Sequence, residues 1–157
     1  MDERLYSPFI NSIKAMLNQM ASIEVEPAGA FYSESDDIIS YGVTSIISFA
    51  GNIKGRLLLD MEEGLAMKIA ENINMQSFSN VRDYMVLASI SELNNIVSGD
   101  AITALNNSHS LGLRLAPPIV FAGKGAAICI PKISSVSLDC TTKHGKLKLN
   151  VAFERGL

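Results

Sequence analysis

The chain has 157 residues, 48 % of them hydrophobic, and a formal net charge of −3 at pH 7. This length predicts a single domain, residues 1–157, that can bury a sizeable core. A negative net charge without clustered Lys or Arg argues against a nucleic-acid partner, and no apolar run approaches the ~20 residues that cross a bilayer. Because no basic segment followed by an apolar one indicates export, we expect a cytoplasmic protein that binds no membrane.

The first predicted elements are a helix, a short strand and a polar loop. Ser7-Pro8 is typical of a helix start, with Ser as N-cap and Pro at the first helical position, and the apolar face continues to about Ala21. Ile23 to Val25 is a strand candidate, ended by Pro27-Ala28-Gly29. The acids between Glu34 and Asp37 indicate a solvated loop rather than a metal site, since no second ligand cluster accompanies them.

A β-hairpin and a second helix follow. Ile38 to Phe49 is rich in β-branched residues and alternates in polarity, Gly51-Asn52 is suited to a turn, and Gly55 to Asp60 predicts the second strand. Glu62-Glu63 place acids at the positive end of the next helix.

The longest helix is predicted from about Val81 to Asn107, capped by Ser79 or Asn80. One side carries a buried apolar stripe with spacings of four, three and four residues, formed by Val86, Ile90, Leu93 and Val97.

After this helix the chain is predicted to form strands. Pro117-Pro118 marks an edge or a bend, and the last segment should have one solvated face. The predicted strands are Leu113–Ala116, Ile119–Ala122, Ala126–Ile130, Ser135–Thr141 and Lys146–Phe153. Phe-Ala-Gly occurs at residues 49–51 and again at 121–123, which suggests a duplicated, pseudo-twofold α+β architecture.

A second stripe on the long helix is the candidate site. Ala88, Glu92, Asn95 and Gly99 lie roughly opposite the apolar stripe, and Glu92 and Asn95 are neighbours at a spacing of three. An ordinary solvated face is the plainer interpretation. Against it, a helical glycine costs about 1 kcal/mol relative to alanine, so Gly99 either kinks the helix or admits a partner closely.

Residue types near the stripe also disfavour a purely structural role. Asn94, Asn95 and Ser98 are weak helix formers where a stable exposed helix would have Ala, Lys or Glu. Six methionines, by contrast, are interpreted as core filler rather than as a recognition surface. They are Met16, Met20, Met61, Met67, Met75 and Met85.

The segment from Ser91 to Ala101 resembles the CheC/CheX family of chemotaxis phosphatases, whose signature is Glu-x-x-Asn on a long helix followed by a small residue or glycine. The match extends to Pro8-Phe9, to Gly51 with Gly55-Arg56-Leu57, and to residues 117–120 with 123–125. The absence of a second Glu-x-x-Asn in the N-terminal half places the chain nearer the CheX branch.

The resemblance implies long α-helices packed on an antiparallel sheet with internal pseudo-symmetry, and homodimers formed through the sheets. It also implies hydrolysis of the aspartyl phosphate on a receiver domain such as CheY. Asn95 would orient the attacking water and Glu92 would bind the receiver's lysine, with Ala88 and Gly99 allowing close approach. No cofactor of its own is expected, since the Mg²⁺ would arrive with the receiver. The alternatives are a non-catalytic module that binds a receiver or a flagellar-switch partner through the same helix, and a purely structural domain.

Overall fold

The computed structural model describes residues 2–129 and 134–154. Three α-helices are present: α1 (Glu3–Ala21), α2 (Glu63–Asn74) and α3 (Tyr84–His109). The strands are β1 (Glu26–Pro27), β2 (Tyr32–Ser33), β3 (Ile38–Ile39), β4 (Gly42–Ala50), β5 (Lys54–Glu62), β6 (Arg114–Leu115), β7 (Ile119–Ala122), β8 (Ala127–Ile128), β9 (Ser135–Thr142) and β10 (Gly145–Glu154). In the part of the chain that is described, no helix is long and apolar enough to span a membrane.

Eight strands form one antiparallel sheet in the order β1-β9-β10-β5-β4-β6, with β2 also paired to β9 and β7 to β4. Strands β3 and β8 form a separate two-stranded sheet. The predicted hairpin is confirmed as β4–β5, with Phe49 opposite Gly55. Its first strand begins at Gly42 rather than at Ile38, because Ile38 and Ile39 pair with β8 in the other sheet. A Cβ on Gly55 would lie 2.5 Å from the Phe49 ring, so this position requires glycine for the ring to pack.

The helices cover one face of the sheet and bury a single core. Along β4, β5 and β10 alternate side chains point to this face, as the period of two requires. Phe9 of α1 lies between Phe49 and Phe153 of the sheet, with ring centroids 5.7 and 6.4 Å away. The predicted α+β fold, with helices packed on an antiparallel sheet, is confirmed.

Both predicted helix starts are wrong by a few residues. α1 begins at Glu3 because the Asp2 carboxylate accepts a hydrogen bond from the Arg4 amide, so Pro8 lies inside the helix instead of at its first position. α3 begins at Tyr84 because Asp83 caps it, accepting from the Met85 amide. The Asn80 side chain instead accepts from the Arg82 amide and stabilises the preceding turn.

Two of the predicted strands differ from those observed. Residues 23–25 lie between α1 and β1 without strand pairing, although Ile23 and Val25 are buried in the core. Pairing starts only at β1, where Pro27 lies opposite Cys140. The strand predicted over 126–130 is observed as β8, and its predicted end at Ile130 lies outside the described residues.

The second face of the sheet is only partly solvated along β10: Lys146 and Glu154 are exposed there, as predicted, and Lys148 is half-buried. Asn150 and Ala152 are fully buried there. The segment between β2 and β4 crosses this face: Glu34 accepts from the Ser137 hydroxyl at 2.6 Å, and the Ser40 hydroxyl donates to Asp60 at 2.9 Å. Burial of this face therefore comes from a segment more than 90 residues away in the chain.

The two Phe-Ala-Gly segments have different surroundings. The first closes the β4–β5 hairpin. The second ends β7, and the next strand, β8, pairs with β3 instead of folding back on β7. The pseudo-twofold architecture therefore stays a prediction.

Candidate functional site

α3 carries the candidate site and is fixed in place by its apolar stripe. Val86, Ile90, Leu93 and Val97 are all fully buried, as their spacing predicts. α1 packs alongside α3, and the Ser12 hydroxyl donates to the Val97 carbonyl oxygen at 3.0 Å. α3 therefore has little freedom to rotate about its axis, and its opposite face is held in one orientation.

Two polar residues of α3 belong to the buried side, which corrects the sequence analysis. Asn94 is fully buried: its amide donates to the Ser45 hydroxyl at 3.1 Å and its carbonyl oxygen accepts from the Ser98 hydroxyl at 3.0 Å. Ser98 is also fully buried. Both residues join the helix to β4, so they do not contribute to an exposed face.

Glu92 and Asn95 lie on the other side of the helix. Glu92 is exposed and Asn95 is half-buried. As an i, i+3 pair, their Cβ atoms lie roughly 5–6 Å apart. Neither side chain hydrogen-bonds to another residue in the described ranges, and Glu92 forms no ion pair there. A carboxylate and an amide are thus presented together without partners among the residues that the structure describes.

Ala88 and Gly99 flank this pair along the helix, and both are half-buried. α3 continues without interruption through Gly99 to His109. A Cβ at Gly99 would lie 3.7 Å from Leu115 Cδ1, which is an ordinary contact, so packing within the chain does not require glycine here. The small side chains leave the surface flat on either side of Glu92 and Asn95.

The methionines predicted to be core filler fall into two groups. Met61 is fully buried, and Met16, Met20 and Met67 are half-buried. Met75 and Met85 are instead exposed, which the sequence analysis missed. Met85 lines a groove beside Glu92 together with Met20, Ile73 and Ala88. Methionine side chains adapt to varied partners, but nothing in the sequence separates these two exposed methionines from the buried ones.

Metal-binding side chains do not converge in the described parts of the chain. Within residues 2–129 and 134–154, no group of three or more His, Cys, Asp or Glu side chains is arranged to hold a metal ion.

Sequence and structure comparisons place the chain among known proteins. The family model for the chemotaxis phosphatase CheX matches residues 43–141. None of the curated proteins matches the sequence. A CheC-like superfamily protein from Shewanella sp. PV-4 is 25 % identical, with a TM-score of 0.90, over 99 % of this chain and 100 % of that chain.

Two further solved structures share the fold. A chemotaxis protein CheX from Vibrio vulnificus is 26 % identical, with a TM-score of 0.87, over 96 % of this chain and 99 % of that chain. A chain of the CheX–CheY–BeF3–Mg²⁺ complex from Borrelia burgdorferi is 22 % identical, with a TM-score of 0.82, over 96 % of this chain and 98 % of that chain. Because the family model matches more than half of the sequence, the chain belongs to the CheX family of chemotaxis phosphatases.

Proposed function

We propose that this protein hydrolyses the aspartyl phosphate of a response-regulator receiver domain such as CheY. The observation that carries the proposal is the pairing of Glu92 and Asn95 on one accessible helix face, with no hydrogen-bond partner among the described residues. Membership of the CheX family supports it, as does the solved complex of the Borrelia burgdorferi CheX with CheY.

The chemistry needs little from the phosphatase beyond positioning. An acyl phosphate is already reactive, so the catalyst has to hold a water molecule in line with phosphorus and the leaving aspartyl oxygen. The water oxygen bonds to phosphorus while the bond from phosphorus to the aspartyl oxygen breaks. The products are the free carboxylate and inorganic phosphate, and the proton of the water passes to a phosphate oxygen or to solvent.

The amide of Asn95 suits this task because it has an acceptor oxygen and two N–H donors. Its oxygen would accept a hydrogen bond from the water and so turn the water's lone pair toward phosphorus. The amide cannot serve as a general base, so we attribute the rate increase to orientation. Any Mg²⁺ at the phosphorylation site would be bound by the receiver, and this chain would supply no ligand to it.

Glu92 would fix the docking geometry by pairing with the lysine at the receiver's phosphorylation site. Its carboxylate is exposed and three residues from Asn95, so one receiver can contact both. Ala88 and Gly99 leave room for the receiver's loops to approach the helix, which lets the short side chain of Asn95 reach the phosphate.

Phosphate release from phosphorylated receivers tests the proposal. Wild-type protein should accelerate release, and Asn95→Ala should lower the rate of the bound complex by about 100-fold or more while leaving binding largely intact. Glu92→Lys should weaken binding by placing a cation against the receiver's lysine. An Asn95→Ala variant as active as wild type would contradict the role of the amide. Binding by the wild type without acceleration would favour the non-catalytic module.

We also propose that the protein is a homodimer formed through its sheets. Within the described residues, β7 pairs on one side only, with β4, and Ile119 at its start is 62 % exposed. An unpaired strand edge with an exposed apolar residue favours association with another strand. Sedimentation equilibrium should give the mass of a dimer for wild type and of a monomer for Ile119→Lys. A monomeric wild type at all concentrations would contradict this.

A further inference from the structure

A patch of five apolar side chains, two of them half-buried and three exposed, adjoins Glu92 where the C-terminal ends of α1 and α2 meet the start of α3. We name it the methionine shelf: Met20, Ile73, Met75, Tyr84 and Met85. Met20 lines both a groove of about 360 Å³ that reaches Glu92 and a neighbouring one that reaches Met75. The shelf is therefore continuous with the catalytic surface.

Three of the five shelf residues are too exposed to belong to the core. Met75 is 91 % exposed, Tyr84 is 83 % exposed and Met85 is 39 % exposed. Clustered exposed apolar side chains on a protein of this size mark interaction sites more often than chance surface residues do. Methionine and tyrosine are also enriched at protein–protein interfaces.

The backbone at Met75 strengthens this interpretation. Met75 ends α2 with φ +55° and ψ +42°, a left-handed conformation that favours glycine. A methionine there is less stable than a glycine would be, and its side chain is almost wholly in water. Ser22 and Ser110 end α1 and α3 in the same conformation, but both are small and polar. Core packing does not explain a methionine as exposed as Met75, whereas contact with a partner does.

The position of the shelf identifies its partner. Met85 is seven residues before Glu92, so it lies two helical turns away on the same side of α3, at a distance of about 10 Å along the axis. A protein that places a phosphoryl group at Asn95 must also cover this length of helix. Exposed Glu92 and half-buried Glu71, which lines the second groove, add negative charge that suits a partner with a lysine beside its phosphorylation site.

We infer that the methionine shelf is the docking surface for apolar side chains of the receiver next to its phosphorylation site. This inference rests on the proposed function and divides the surface between two tasks. Tyr84, Met85 and Met75 contribute to the affinity for the receiver together with Glu92, and Asn95 sets the rate of hydrolysis.

The test measures receiver affinity and turnover separately in shelf variants. Affinity is measured in the Asn95→Ala background, where we expect this protein to hydrolyse the phosphoryl group about 100-fold more slowly, by titrating freshly phosphorylated receiver. Tyr84→Ser and Met85→Ser should each weaken binding by about tenfold. In chains that retain Asn95, each substitution should raise KM and change kcat by less than twofold. Ile39→Ser, which removes an exposed apolar residue on β3, is the matched control and should change neither quantity.

Met75→Gly separates docking from folding. Glycine suits the left-handed conformation at this position, so the variant should have a higher Tm than wild type. It should nevertheless bind the receiver several-fold more weakly. A gain in stability with a loss of affinity cannot result from damage to the fold.

The outcomes distinguish this inference from the proposed function. Normal hydrolysis with unchanged affinity in all three shelf variants would contradict the role of the shelf in docking and leave the proposed phosphatase activity intact. The wild type could also bind the receiver without hydrolysing its phosphate, and Tyr84→Ser could still weaken that binding. This result would contradict the proposed phosphatase activity and support the docking role of the shelf. No binding of any phosphorylated receiver would overturn both.

Discussion

On the side of α3 that faces the sheet, the amide of Asn94 is fully buried and bonded to Ser45 and Ser98. One residue later, and about 100° further round the helix, the amide of Asn95 has no hydrogen-bond partner in the described part of the chain. The two side chains are chemically identical. The hydrogen bonds of Asn94 stabilise the fold, whereas the amide of Asn95 is able to form hydrogen bonds with another molecule.

The same contrast holds between the polar neighbours of each amide. Ser98 donates to Asn94 within the core, whereas exposed Glu92 forms no ion pair among the described residues. Leaving Glu92 and Asn95 unpaired costs little where water reaches them, but it would cost several kcal/mol in the core. Unpaired polar groups such as these are therefore expected on the side of α3 away from the sheet.

The largest effect we expect from this contrast is a loss of stability in Asn94→Ala. The change leaves the buried hydroxyls of Ser45 and Ser98 without this partner and opens a small cavity, which together cost about 2–3 kcal/mol. Urea denaturation should show this fall, whereas phosphate release per folded molecule should be kept. Asn95→Ala is the matched control, with a stability within about 0.5 kcal/mol of wild type. Equal stability of the two variants would contradict the claim that Asn94 stabilises the fold and Asn95 does not.

A smaller effect is expected at Gly99, where folding and docking should respond in opposite directions. Alanine gains up to about 1 kcal/mol of helix propensity, and its Cβ would make an ordinary contact with Leu115. The added methyl group also projects into the docking surface, so we expect receiver affinity to fall by about fivefold. Thermal denaturation and receiver titration measure the two quantities.

Gly64→Ala provides the control for that experiment. Gly64 is an exposed residue of α2, and a Cβ there would lie 3.6 Å from the His144 carbonyl oxygen, again an ordinary contact. Its substitution should not change affinity. If Gly99→Ala binds the receiver as tightly as wild type does, Gly99 does not admit close approach.

Local patterns in the sequence were sufficient to predict much of the fold. The β4–β5 hairpin, the buried stripe of α3 and the exposed position of Glu92 follow from periodicity and turn residues within a short window. Helix starts were less predictable, because Ser79, Asn80 and Asp83 are all good caps and only the tertiary position of α3 selects Asp83.

Features that depend on distant contacts could not be predicted. Asn94 and Asn95 are equivalent in the sequence, and the burial of Asn94 depends on Ser45, 49 residues earlier. The covered part of the second face of β10 depends on the segment that contains Glu34. Met75 and Met85 were assigned to the core because apolar character alone does not distinguish a core position from a docking surface.

Asp60 extends the comparison to the second face of the sheet and gives the smallest effect we expect, a pH dependence of stability. The carboxylate is fully buried and accepts from the Ser40 and Thr44 hydroxyls and the Tyr41 amide. Burial raises the pKa of Asp60 above 3.8, despite these hydrogen bonds. The folded state therefore binds a proton more tightly than the unfolded state does.

The sign of the pH dependence follows from linkage. Because the pKa of Asp60 is raised in the folded state, its contribution to the free energy of unfolding is fully present below pH 3.8. This contribution is lost as the pH rises through the folded pKa, and at higher pH it no longer changes. The difference in unfolding free energy between wild type and Asp60→Asn, measured by urea denaturation, should decrease with increasing pH over this window, since the other titrating groups cancel. A difference that increases with pH would mean that the hydrogen bonds to the carboxylate outweigh its burial. Asp60 would then resemble Asn94, a buried polar group whose amide oxygen and nitrogen both have hydrogen-bond partners.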